Sequence, residues 1–90
     1  MHAVVHSVTI NDRSAAAAGL DQIVPQVSSM PGFAAGYWVT RSADTGIAIV
    51  IFKSEEAAQG FADFLKGAPD AAGVTLDRDH IDVGQVLAHA

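Results

Sequence analysis

The side chains able to do chemistry in this sequence are few: four histidines, one tyrosine, one tryptophan, ten carboxylates and five cations, with no cysteine. His6 lies among Val4, Val8 and Ile10 in a valine-rich stretch, where partial burial would bring its titration into the range useful for acid–base work. Beside an aromatic ring, such a histidine can deprotonate a phenolic molecule for reaction with oxygen. It can equally be a core histidine bonded to a carbonyl or a water. Tyr37 and Trp38 are adjacent in a strand-like segment, so their rings point to opposite faces. In the functional reading, one of them joins Phe61 in bordering a cavity for a flat aromatic ligand, and Arg41 pairs with an anionic oxygen. In the structural reading, one ring fills the core and the other a subunit interface.

The remaining polar groups exclude more than they suggest. His2 and His6 share a strand face, but four residues at about 3.3 Å each set them roughly 13 Å apart, too far for one metal ion. His80 and Asp82, spaced to face the same way, sit in an acidic segment with Asp77 and Asp79, which reads as charge guarding a sheet edge. No metal site is expected. Glu55 and Glu56 project about 100° apart on a helix and form no acid–base pair. There is no Gly-x-Ser-x-Gly elbow, and no glycine run is followed by Lys-Ser/Thr, which disfavours serine-triad and nucleotide chemistry. Without cysteine there is no thiol nucleophile, redox pair or thiolate zinc site. No cofactor is expected either.

The net charge is −5. The cations Arg13, Arg41, Lys53, Lys66 and Arg78 are scattered singly, so no stripe exists to neutralise phosphates, and nucleic acid is not an expected partner. The longest apolar run, Ile47 to Phe52, falls far short of the roughly 20 residues of a membrane span. The start Met1-His2-Ala3-Val4 lacks the basic region of a secretory signal. A cytoplasmic protein is expected, with no membrane partner.

These residues sit on a readable series of elements. His2–Ile10, rich in Val, Ile and Thr, predicts a strand closed by Asn11-Asp12. Asp12 can cap a helix over Ser14–Met30, whose Leu20, Ile23, Val24 and Val27 form one apolar stripe. Pro25 predicts a kink or an early end near Val24. Phe33–Arg41 and Ile47–Lys53 predict an antiparallel hairpin across Ser42–Gly46. Ser54 caps a second helix, with Ala58, Phe61, Ala62 and Leu65 on one face and Gly67 at its end. Val74–Ala88 predicts one last strand or two short ones, since its apolar alternation changes register near Arg78–His80.

The order β-α-β-β-α-β predicts a single α+β domain over residues 1–90, of ferredoxin-like pattern: a four-stranded antiparallel sheet with two helices on one face. One strand does not suit a solvated sheet face. Ile47-Ala48-Ile49-Val50-Ile51-Phe52 is apolar at every position, whereas a strand with one wet face alternates. Two helices cover only one side. A cysteine-free chain of 90 residues buries only about 60–65% of its unfolded surface. The economical cover for the helix-free face is the same face of a second copy, in an isologous homodimer.

The segments Met30-Pro31-Gly32-Phe33-x-x-Gly36-Tyr37-Trp38 and Phe52-Lys53-Ser54-Glu55-Glu56-Ala57, with the apolar strand between them, resemble the dimeric α+β barrel superfamily, in particular its antibiotic-biosynthesis-monooxygenase-like group. The resemblance covers nearly the whole chain. It implies a homodimeric barrel with an apolar pocket in each subunit, and a cofactor-independent monooxygenase on a small aromatic or quinone-like molecule. His6 would be its base and Tyr37, Trp38, Arg41 and Phe61 its ligand contacts. The superfamily also contains members without known activity, which implies the alternative of a non-catalytic homodimer holding a small apolar ligand. Its haem-degrading branch uses an asparagine, a tryptophan and a histidine that have no counterparts here. The first strand offers His6 and no asparagine, the second helix offers Phe61 or Phe64, and no histidine follows in that helix or its linker.

Overall fold

The central strand β1, His2–Ile10, runs antiparallel to its neighbours on both sides. The computed structural model describes all 90 residues. After β1 come α1 (Arg13–Ser28), β2 (Phe33–Thr40), β3 (Thr45–Phe52), α2 (Glu55–Gly67), β4 (Val74–Leu76) and β5 (Asp82–Gln85). The order across the sheet is β2-β3-β1-β4, with β5 also pairing β1. This is the ferredoxin-like α+β arrangement. It has five strands rather than four because the last segment breaks over residues 77–81. β4 then continues beside the end of β1 and β5 beside its start.

Both helices begin where side chains can satisfy their first free N–H groups. The Asp12 carboxylate accepts from Ala15 N–H at 3.0 Å, and the Ser54 hydroxyl oxygen accepts from Ala57 N–H at 3.1 Å. Glu55 and Glu56 occupy the first turn of α2 and Lys66 its last, each with the sign that the helix dipole favours. The expected early end of α1 at Pro25 does not occur, and the helix runs one turn further, to Ser28. The Pro25 carbonyl accepts from Ser29 N–H and from the Ser28 and Ser29 hydroxyls, which ties down the turn beyond the proline.

Register decides which residues meet. Val4 pairs with Val50, His6 with Ala48, and Val8 with Gly46. On the other side of β3, Trp38 pairs with Ala48 and Gly36 with Val50. These residues share the face covered by the helices. Val4, Val50, Phe52, Ala58, Phe61 and Ala62 form its buried core with Val27. The opposite face carries Val5, Tyr37, Val39, Ile47, Ile49 and Ile51, with Val5 opposite Ile49 and Tyr37 also opposite Ile49. No element of the chain covers it, and Tyr37 and Val39 remain 56% and 49% exposed.

Gly73 fixes how the chain re-enters the sheet after α2. Its φ is +77°, and a Cβ there would stand 2.5 Å from the Asp12 carbonyl oxygen and 2.7 Å from the Ala16 nitrogen, both backbone. Its own carbonyl accepts from Asn11 N–H and Asp12 N–H, which locks the linker against the start of α1. Gly73→Ala is therefore expected to cost about 2–3 kcal/mol, from a left-handed backbone and a backbone collision together. Gly84→Ala, where a Cβ meets nothing within 4 Å, is expected to change stability by less than about 0.5 kcal/mol. Urea denaturation of both variants checks the contrast.

Candidate functional site

The helices leave a cavity of about 390 Å³ against the covered face of the sheet, a volume within the roughly 300–1,000 Å³ common for small-molecule sites. His6, Val8 and Ile10 from β1, and Trp38 and Ala48 from β2 and β3, form the sheet side. Leu20, Ile23 and Val27 from α1 and Phe61, Phe64 and Leu65 from α2 form the flanks. The linker Ala68–Ala72 closes one end.

Trp38 lies flat along the sheet because of a gap two residues earlier. A Cβ on Gly36 would come within 2.8 Å of two indole ring carbons, so the absence of a side chain there makes room for the ring. Phe61 is the hub of the opposite flank. Its ring is 5.4 Å from Phe52, 6.3 Å from His6 and 6.5 Å from Phe64, the last nearly parallel at 19°. A row of aromatic faces thus leads from half-exposed Phe64 to the buried imidazole.

His6 is only 7% exposed and is the one buried polar residue of the chain. Its Nδ1 is sealed from solvent and has no hydrogen-bond partner. Burial lowers its pKa below the ordinary 6.5, because the apolar surroundings penalise the imidazolium. The other polar groups on the walls are Gln26, Thr40 and Asp70. Asp70 belongs to a structural brace: its carboxylate accepts from Leu76 N–H at 3.1 Å and pairs with the Arg78 guanidinium at 2.9 Å. Arg78 also donates to the Ala68 carbonyl. The Leu76 N–H first, and then Arg78, lower the Asp70 pKa. No lysine or arginine lines the cavity.

The structure therefore brings together three of the five residues singled out from the sequence: His6, Trp38 and Phe61. The other two lie outside this cavity. Tyr37 has the opposite parity to Trp38 and stands on the helix-free face. Arg41 is exposed just beyond β2, where its N–H bonds the Thr45 carbonyl in the hairpin. The aromatic question raised by the adjacent pair thus has a geometric answer: Trp38 borders the cavity. His80 pairs with Asp77 at 2.8 Å. His2 approaches Glu55 at 3.7 Å rather than His6. The brace and the linker wall were missed from sequence, although Asp70 eight residues before Arg78, flanking the one alanine- and proline-rich loop, was the available signal.

The fold and its hollow define the class: a ferredoxin-like α+β domain with an apolar chamber between sheet and helices. Among solved structures, the chain is similar to the heme-degrader MhuD from Mycobacterium tuberculosis, determined with two hemes bound in its active site. The two are 19% identical, the match covers 97% of this chain and 98% of that one, and the TM-score is 0.48. No protein-family model matches the sequence, and no curated protein does. No helix is long and apolar enough to cross a membrane.

The burial of His6 gives acid sensitivity a definite sign. The folded protein holds the imidazole neutral below 6.5, where the unfolded chain takes up a proton, so stability falls as pH drops through that value towards the lower folded pKa. Asp70 acts further down, its contribution fading as pH falls below 3.8. Thermal melts of the wild type are expected to show a lower Tm at pH 5.5 than at pH 7.5. His6→Leu should reduce that difference, and an undiminished difference in the variant would assign it elsewhere.

Proposed function

We propose that this chain is a homodimeric α+β barrel protein that holds a small, flat, uncharged molecule in the chamber between its sheet and its helices. The observation that carries the reading is a ligand-sized apolar cavity with a single buried polar side chain, His6, on its wall. Trp38 and Phe61 supply flat faces for a ring system. The walls carry no cation to balance a carboxylate or phosphate, and their one carboxylate is already paired. An anion would be desolvated there without compensation.

Oxygenation is the catalytic form of the same reading, and the lowered His6 pKa favours it by keeping the imidazole unprotonated. Its substrate would be an anthrone-like ketone and its oxidant dioxygen. His6 takes a proton from the activated CH2, the carbanion gives electrons to dioxygen, and a C–O bond forms. The O–O bond then breaks, leaving a carbonyl on the carbon and releasing the second oxygen as water with the two hydrogens. This catalytic form requires that oxygen uptake with anthrone collapse in His6→Ala, and unchanged turnover in a folded variant would remove His6 as the base.

The homodimer rests on the helix-free face, where Val5, Tyr37, Val39 and the three isoleucines of β3 make an apolar surface that a second copy can match by two-fold symmetry. A cytoplasmic setting accords with the absence of cysteine.

Two measurements check this. Native mass spectrometry at micromolar concentration is expected to give a dimer that Ile49→Asp converts to monomer; a strictly monomeric wild type removes the interface. Trp38 is the one tryptophan of the chain, so its fluorescence reports the cavity directly. Titration with fluorene, a flat hydrocarbon, is expected to quench it saturably, and no change up to the solubility limit would argue against the ligand site.

A further inference from the structure

The two nitrogens of His6 have different surroundings. Nδ1 has essentially no accessible surface and no partner, whereas Nε2 is not sealed in this way, and His6 lines the cavity. A neutral imidazole carries one hydrogen, and the tautomer follows from what each nitrogen can reach. With the hydrogen on Nδ1, a donor points into a closed wall and its hydrogen bond is never made. With the hydrogen on Nε2, the sealed position holds only a lone pair and the donor faces the chamber. Orphaned buried N–H groups are rarer than under-satisfied acceptors, and an imidazolium would place a hydrogen at both positions and a charge in an apolar setting. The lowered His6 pKa agrees with a neutral ring.

We propose that His6 presents an Nε2–H to the cavity, so that the site selects flat ligands whose inward polar atom is a hydrogen-bond acceptor, such as an aromatic ketone or quinone oxygen, over ligands that offer only a donor. The inference rests on the ligand-binding reading and departs from the oxygenase one. A base acting through Nε2 would have to keep its own proton on the sealed Nδ1. The walls reinforce the selection. Apart from His6, the polar side chains of the walls are Gln26, Thr40 and the paired Asp70, and an N–H or O–H brought against the imidazole would meet another donor. A carbonyl in the same place accepts from it while the rings on either side contact Trp38 and Phe61.

Two experiments test it separately. Long-range proton–nitrogen correlation spectra of the ¹⁵N-histidine-labelled wild type at pH 7.5 read the tautomer without any ligand, with the His6 signals assigned by their loss in His6→Gln. A protonated Nε2 and an unprotonated Nδ1 are expected; the reverse assignment, or an imidazolium, overturns the proposal. Calorimetric titration then compares three tricycles of like ring skeleton: fluorenone, which only accepts, carbazole, which offers an N–H, and fluorene, which does neither. Fluorenone is expected to bind about tenfold more tightly than carbazole, the consequence of one hydrogen bond made against one donor left unpaired. His6→Phe should erase the difference. Carbazole binding as tightly as fluorenone to the wild type overturns the selectivity even with the expected tautomer. Failure of all three tricycles to bind overturns the ligand site itself, and the selectivity with it.

Discussion

The pairing of β1 with β3 is the constraint on which the rest depends. Both strands are apolar over most of their length, and side chains alternate with a period of two, so one choice of register sends Val4, His6, Val50 and Phe52 under the helices and Val5, Ile49 and Ile51 to the other side. A one-residue slip of β3 would turn its three isoleucines towards the alanines and phenylalanine of α2, and a one-residue slip of β1 would expose the only strand position with both burial and chemistry. Phe52 and Phe61 hold the observed register from opposite layers, their rings 5.4 Å apart.

That register also explains the odd situation of His6. A histidine two residues from Val4 on the same face has to enter the core region, because β1 is central and has neighbours on both edges. It is not completely enclosed, because it lines the cavity between the sheet and the helices. The imidazole therefore closes one end of the packed core and opens on the hollow beyond it. Its lowered pKa, its contact with Phe61 and its sealed nitrogen are three consequences of one position on one strand.

Much of this was legible in the sequence. Strand β1, the caps Asp12 and Ser54, the end of α2 at Gly67 and the break in the last strand follow from local rules on turn residues and alternation, and those rules act over a few residues. The six-residue apolar run of β3 pointed correctly to a face that the chain itself does not cover. Two features escaped for physical reasons. Pro25 removes one donor, but serine hydroxyls and a backbone N–H converge on its carbonyl and hold the next helical turn, a compensation set by geometry. The grouping of His6, Trp38 and Phe61 without Tyr37 or Arg41 depends on strand parity and on the path of two helices across the sheet. Residue type alone points to the chemistry of each side chain and leaves open which of them share a space.

A homodimer through the helix-free face would link the two faces of the sheet energetically. A hollow of about 390 Å³ under the helices forgoes dispersion contacts that a closed core would make, and a domain of this size has little stability to spare. The helix-free face holds the unused apolar surface that can offset that loss, since burying a Val or Ile side chain contributes about 1.5–3 kcal/mol. Val5, Val39, Ile47, Ile49 and Ile51 lie there in adjacent strands. Covering them with a second copy would let each subunit keep its chamber open without losing the fold. In that arrangement the interface and the cavity are two requirements on one sheet: one side is made sticky enough that the other can stay unfilled. The same apolar strand that does not suit a solvated sheet face would then allow a small, cysteine-free chain to hold a space whose one buried polar side chain is His6.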